Sequence, residues 1–295
     1  MASSIVRYRV FGQMRASVQV VVCLEGRWWR RDFRLAWQLQ NASFQPNKRD
    51  DDHSMLSADQ INSFKDHGHL ILPGFVAADT VRQWQDQFWQ HLGCTIDEPE
   101  KWPEKVEGFQ PDPVFGELPD LQEVVQQVGG GHFSGGGCGV LVRWPQQDEE
   151  WKMPESGHLD GYPGEGCQAV LMVGATTYLH DVEAGGGAYT YWPGSHHVAH
   201  RYFREHPEQI EGTFRETAEW EKRGWGIFSD DGPEPAREFV AKAGDVILWH
   251  GWLCHTGSPN VRPSPRVGFF SRWVHEDDAG VRQAIPEDPW HHWEI

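Results

Sequence analysis

Between Ser57 and Gly131 apolar residues recur three and four positions apart, whereas beyond Cys138 they alternate or run together. The first period predicts helices and the second predicts strands. Ser57-Ala58-Asp59-Gln60 reads as a capping box, in which hydroxyl and Gln side chain each satisfy an orphan amide, so a short helix follows. His69-Leu70-Ile71-Leu72 then reads as a short strand closed by the turn Pro73-Gly74. Val81, Trp84, Phe88 and Leu92 share the face of a second helix that stops at Gly93. Leu121, Val124, Val125 and Val128 share the face of a third, which ends at Gly129-Gly130-Gly131.

Strands are predicted over residues 138–144, 168–182, 188–192, 246–250 and 267–273, separated by Gly, Pro and Asp turns. Helices followed by many strands define an α+β chain, mainly a β core with flanking N-terminal helices. Residues 201–236 are long, charged and tryptophan-bearing, and read either as an insertion covering a pocket or as a solvated excursion. Residues 1–54 show no clear period. They read as an extension, either disordered, or a targeting segment for organelle import, or translated sequence upstream of Met55. The main domain is expected over residues 55–295.

Composition narrows the function. The chain of 295 residues is long enough for a substantial core. Its longest apolar run, from Val18 to Leu24, is far too short for a membrane span. The five cysteines form no CxxC pair, which argues against a disulfide framework or a zinc ribbon and fits a reducing, cytoplasmic compartment. The formal net charge is -17, and because residues 1–50 are basic, the acidity belongs to the main domain. Such a field repels nucleic acid and anionic membrane, leaving a small-molecule substrate as the expected partner.

The chemistry centres on Gly157-His158-Leu159-Asp160-Gly161-Tyr162-Pro163. In an extended segment residues i and i+2 point to one side, so His158 and Asp160 offer a nitrogen and an oxygen to one ion. An H-x-D triplet is weak evidence alone, and His275-Glu276-Asp277 is a second example. The downstream context separates them. After His158 comes a strand that carries His250 and runs into a turn that carries His255, and eleven residues past His255 stands Arg266, opening another strand. Two imidazoles and one carboxylate on one face of iron leave positions open, as in non-haem iron oxygenases. A nearby guanidinium can grip a dicarboxylate through a bidentate pair. His275 is followed only by His291 and His292 and reads as a polar turn.

Four ordered segments together resemble the phytanoyl-CoA dioxygenase family of iron(II)/2-oxoglutarate oxygenases: the opening Leu56-Ser57-Ala58-Asp59-Gln60 to Phe75, the H-x-D, Gly186 to His196 ending in PGSH, and the GD-strand-H-x4-N stretch followed by Arg. The resemblance covers about residues 56–274. It implies a double-stranded β-helix, a cupin-like jelly roll, with iron at its mouth. It implies His158, Asp160 and His255 as metal ligands and catalytic residues, and Arg266 on the distal carboxylate of 2-oxoglutarate. The implied activity consumes O2 and 2-oxoglutarate, releases succinate and CO2, and oxidises a C–H bond of a small molecule. A carboxylate at Asp160, where related halogenases carry a small residue, favours hydroxylation.

Rival readings stand beside this one. His250 competes with His255 for the third ligand position, though its distance to Arg266 does not match the motif. His196, His197 and His200 read as a loop after a strand, with His196 packing as in PGSH. Thr256-Gly257-Ser258 departs from the family pattern, so Ser258 is left unassigned. Arg143, Tyr162 and Trp192 either face the pocket or pack as ordinary strand and loop residues. The alternative functions are a jelly-roll metal-binding module and a cupin-type non-redox enzyme, in which the ion acts as a Lewis acid. A plain metal module has no need of a cation such as Arg266 one hairpin from the ion.

Overall fold

The computed structural model describes residues 19–24, 27–32, 55–146, 148, 150–162, 170–293 and 295. The chain divides into two units, residues 1–43 and 44–295. In the first, β1 (Gln19–Leu24) and β2 (Arg27–Asp32) pair as an antiparallel hairpin. The rest of the extension read at residues 1–54 lies outside the described residues.

The second unit opens with α1 (Ala58–His67), whose capping box is formed: the Ser57 hydroxyl accepts from Gln60 N, and the Gln60 side chain accepts from Ser57 N. After β3 (His69–Leu72) comes α2 (Ala78–Leu92), which buries Val81, Trp84 and Phe88 and ends on a left-handed Gly93. Then α3 (Pro119–Gly129) buries Leu121, Val124, Val125 and Val128 and ends on a left-handed Gly130. All three helices stand where the 3.6-residue period predicts them.

The strands are β4 (Phe133–Arg143), β5 (Met172–Tyr178), β6 (Tyr189–Tyr191), β7 (Arg237–Glu238), β8 (Val246–His250), β9 (His255–Gly257) and β10 (Arg266–His275). They form a five-stranded sheet in the order β3-β8-β5-β10-β4 and a three-stranded sheet in the order β7-β6-β9, with every pairing antiparallel. The larger sheet has two distinct faces. Val173, Ala175, Val246, Leu248, Val267, Phe269 and Trp273 join the main core with the helical residues Trp84, Phe88 and Leu121. Met172, Tyr178, Ile247 and Trp249 alternate with them and pack with Tyr189, Tyr191 and Phe239 of the smaller sheet. The alternation of period two thus sorts one strand's side chains between a helix-facing layer and an inter-sheet layer.

Three local expectations change. β4 begins at Phe133, five residues before the predicted start at Cys138. Gly135 and Gly136 adopt positive φ and pair opposite Trp273 and Arg272, where a Cβ on either would strike backbone. Glycine there permits close approach within a strand rather than ending one. Among the described residues the strand expected over 168–182 is confined to β5, and residues 163–169 lie outside them. The loop expected at His196, His197 and His200 is helical: all three lie on α4 (Ser195–Glu205). The 201–236 stretch continues with short helical turns, α5 (Ala218–Arg223) and α6 (Gly226–Ser229), before α7 (Asp278–Gln283) near the C-terminus. No helix among the described residues is long and apolar enough to cross a membrane.

Candidate metal centre

His158 and His255 are antiparallel bridge partners, with His158 N donating to His255 O at 2.8 Å and His255 N to His158 O at 2.9 Å. The bridge continues the edge of the smaller sheet, in which β9 already pairs with β6. Side chains directly opposite in such a pair lie on one side, and the two imidazole centroids are 4.5 Å apart. Two residues on, Asp160 N donates to Gly251 O at 3.2 Å. Its carboxylate lies 3.4 Å from His158 Nε2 and 3.8 Å from His255 Nε2. Leu159, between them, points the other way into the core.

The flanking glycines explain why this segment can lie so close. A Cβ on Gly157 would stand 2.5 Å from the His255 carbonyl oxygen and 2.7 Å from the Trp192 ring. A Cβ on Gly161 would stand 2.8 Å from the backbone of Gly251. Only an unsubstituted backbone can be pressed against both strand ends at once.

One ligand atom from each of His158, Asp160 and His255 falls within 4.8 Å of the others, and among the described residues these three make the single His/Cys/Asp/Glu group able to hold a metal ion. The donor set fits a divalent transition ion: two neutral nitrogens and one anionic oxygen. His255 Nδ1 lies 2.8 Å from Leu253 O, so it holds the ring proton and leaves the Nε2 lone pair toward the cluster. Burial lowers the His255 pKa to about 4, against the opposing charge of Asp160, so the ring is neutral near pH 7. At Asp160 burial works against ionisation. The His158 hydrogen bond and the charges of His255 and Arg272 outweigh it and hold the carboxyl well below the usual carboxylate range.

The other histidines go elsewhere. His250 is in the core, stacked on Trp293 at 4.6 Å, with Nδ1 accepting from Trp252 N. It lies on the opposite face of β8 from Trp249, so parity carries it away from His158 and Asp160. His196 is buried and bonded to Lys65 O. His275 accepts from Asp277 N and packs on Phe133. Ser258 donates to Glu238, a structural bond.

Arg266 is 4% exposed. Its Nε donates to Gly187 O at 2.7 Å and its Nη1 to Leu141 O at 3.1 Å. Among the described residues it forms no ion pair, and burial pushes its pKa down to about 10, the strain expected of an uncompensated cation. Arg143 stands opposite it in the β4–β10 register. The point where Gly257 would carry a Cβ lies 3.0 Å from Arg143 Nη2 and 3.2 Å from Arg266 Nη2. Among the described residues, two guanidiniums thus converge over a glycine without a carboxylate between them, in a protein of net charge -17.

Arg272 was not singled out by the motifs. Its Nε and Nη2 donate to Asp160 Oδ2 at 2.9 and 2.5 Å. The available signal was its position six residues after Arg266, an even spacing that keeps both on one face of β10.

The phytanoyl-CoA dioxygenase (PhyH) family matches residues 141–268, a segment that contains His158, Asp160, His255 and Arg266. The match spans less than half of the chain and, with the three-donor site, supports an oxidoreductase of the iron- and 2-oxoglutarate-dependent kind, as the resemblance implied. Among solved structures, the non-haem α-ketoglutarate-dependent carbocyclase SnoK from nogalamycin biosynthesis is similar at 18% identity and TM-score 0.50, over 79% of this chain and 93% of SnoK. EctD from S. alaskensis, with 2-oxoglutarate and 5-hydroxyectoine, is similar at 15% identity and TM-score 0.50, over 86% of this chain and 89% of EctD. At these identities the likeness is one of fold. No curated protein matches the sequence.

Proposed function

We propose that this protein is an iron(II)- and 2-oxoglutarate-dependent hydroxylase of a small molecule, with His158, Asp160 and His255 as the iron ligands and Arg266 as the anchor of the cosubstrate's distal carboxylate. The observation that carries this reading is the pairing of a three-ligand cluster with a buried guanidinium that has no carboxylate partner among the described residues. A metal-binding module or a Lewis-acid enzyme gives no reason to bury that cation. The two facing sheets are the two halves of a double-stranded β-helix, and the ligand cluster lies at the edge where β9 meets the 158–160 segment.

When bound, iron supplies the coupled oxidation in which O2 and 2-oxoglutarate yield succinate, CO2 and a hydroxylated product. The chain's own residues arrange the reactants. Arg266 keeps two of its donors on backbone carbonyls, which holds the guanidinium in one orientation and leaves Nη2 toward the Gly257 gap. Arg143 brings a second positive charge to the same gap, so a dicarboxylate end is met from two sides. His158 is the accessible ligand, its side chain 44% exposed, and so marks the side from which substrate arrives. On that side Trp225 stands edge-on to His158 at 6.2 Å and packs with Tyr162 and Phe214. The helical insertion therefore supplies an aromatic lip to the mouth. Small apolar or mixed-polarity molecules suit such a wall.

The test is release of succinate from 2-oxoglutarate under added ferrous iron, with and without candidate small molecules. Production that needs iron and vanishes in His158→Ala, Asp160→Ala and His255→Ala supports the proposal. A wild-type protein that binds no divalent metal, or that turns over 2-oxoglutarate equally without Asp160, ends it.

A further inference from the structure

The ligand assignment just proposed leaves one strong interaction unused. Asp160 is the only carboxylate of the cluster, and one of its two oxygens is already held: Oδ2 accepts from both Nε and Nη2 of Arg272. The other oxygen, Oδ1, lies 3.4 Å from His158 Nε2, while Oδ2 itself stands 3.8 Å from His255 Nε2. A carboxylate free to rotate could offer an ion either oxygen or both. One whose Oδ2 is capped by two charge-assisted hydrogen bonds has a single oxygen with lone pairs to spare.

The fold goes to some length to aim this guanidinium. In the large sheet Gly174 of β5 pairs on one side with Trp249 of β8 and on the other with Arg272 of β10. A Cβ at Gly174 would collide with the Trp249 indole, so the missing side chain is what lets that ring lie across β5. From there it reaches within 6.0 Å of the Arg272 guanidinium. The arrangement is repeated on the other side. Gly139 of β4 faces Phe270, and a Cβ there would collide with the phenyl ring. Phe270 lies 4.9 Å from the guanidinium. The register shift between β10 and β4 after Phe270 puts the extra residue on β4, while β10 keeps an unbroken pairing with β5 through Arg272. Two glycines and two rings thus bear on one side chain.

We infer that Arg272 is the positioning residue of the metal centre: it clamps Oδ2 of Asp160, so that the ligand carboxylate meets the ion through Oδ1 alone. This rests on the ligand set proposed above. A carboxylate confined to one oxygen occupies one coordination position, which keeps the remainder open for cosubstrate and oxygen. A carboxylate chelating through both would close one of them.

The full-length protein, stripped of metal, is titrated anaerobically with Fe(II) and separately with Co(II), whose visible spectrum reports coordination number. Arg272→Gln keeps hydrogen-bond donors but loses the charge and the fork. It is expected to weaken metal affinity by about 10- to 100-fold, the range for an outer-shell partner, and to alter the Co(II) spectrum. Arg272→Lys is expected to recover part of the affinity. Phe270→Leu loosens the sandwich without touching the ion pair or a ligand histidine, and is expected to weaken binding roughly two- to fivefold. It keeps the question answerable should an Arg272 variant fold poorly. Unchanged or tighter metal binding in Arg272→Gln, with a wild-type Co(II) spectrum, would show that Arg272 is only a counter-ion that metal displaces. That result overturns the inference while leaving the ligand set intact. A wild-type protein that binds neither ion overturns the ligand set, and the inference with it.

Discussion

His158 and His255, 97 residues apart in sequence, donate their backbone amides to one another's carbonyls. A reciprocal bridge fixes both side chains on one side of the sheet edge, so the metal centre is held by backbone pairing and not by side-chain packing alone. Asp160 follows two residues later with its amide on Gly251, which ties the third donor to the turn after β8.

From that geometry, removing any donor should be severe. His255→Ala and Asp160→Ala are each expected to lower Fe(II) affinity by more than ~100-fold, beyond the range for outer-shell changes. Isothermal titration of the metal-free protein measures it. Affinity within a few-fold of wild type in both variants would contradict the assignment.

Arg266→Ala should leave the metal bound and raise the 2-oxoglutarate requirement. Loss of a charge-assisted pair costs about 1.5–3 kcal/mol, which is roughly 10- to 100-fold in the cosubstrate's KM. Arg143→Ala should act in the same direction and more weakly, because that residue is exposed. A steady-state 2-oxoglutarate titration decides, and an unchanged KM in Arg266→Ala would move the anchor elsewhere.

Gly157→Ala tests the close approach of the 158–160 segment to β9. Its methyl would press on the His255 carbonyl oxygen and on Trp192, an overpacking expected to cost about 1–3 kcal/mol. The melting temperature should fall and metal affinity with it, since the same contact sets the His158–His255 distance. A stable variant with wild-type affinity would show that the segment can shift freely.

Acid should destabilise the metal-free protein before its carboxylates titrate. Burial lowers the pKa of His69 to about 4, of His180 to about 4 and of His250 to about 3, each from 6.5. Between those folded values and 6.5 the unfolded chain binds protons that the folded chain refuses. Stability is therefore fully present above about pH 6.5 and falls as pH drops toward 4. Melting temperatures recorded from about pH 7 to about pH 5 should decline steadily, and a flat profile would mean that these rings protonate in place.

A chain beginning at Met55 should retain the cooperative thermal transition and the metal affinity of the whole, because residues 1–43 form a unit of their own and the described core of the second unit starts at Met55 and Leu56. Loss of the transition on truncation would make the extension part of the fold.

Much of this was legible in the sequence because it depends on local periodicity and on motif order. The Val81-Trp84-Phe88 and Leu121-Val125-Val128 faces need only the 3.6-residue repeat, and the Ser57–Gln60 box needs only neighbours. The H-x-D pair, the distal histidine and Arg266 follow in order along the chain, so their grouping could be expected before any contact was known. The first residues of β4 were not legible, because a glycine that permits close strand approach and one that makes a turn look the same in a string of letters.

What tertiary structure alone decided are matters of parity, register and approach. His250 and His255 differ by five residues along a strand and its turn, and only the folded strand shows the first turned to Trp293 and the second to Asp160. Arg143 meets Arg266 because β4 and β10 pair in one particular register, and Arg272 finds Asp160 while Gly174 and Gly139, on the two strands flanking β10, leave room for the rings of Trp249 and Phe270 beside it. Such relations join residues from about forty to more than a hundred and twenty positions apart, and their energy comes from the pairing of whole strands, so no local pattern encodes them.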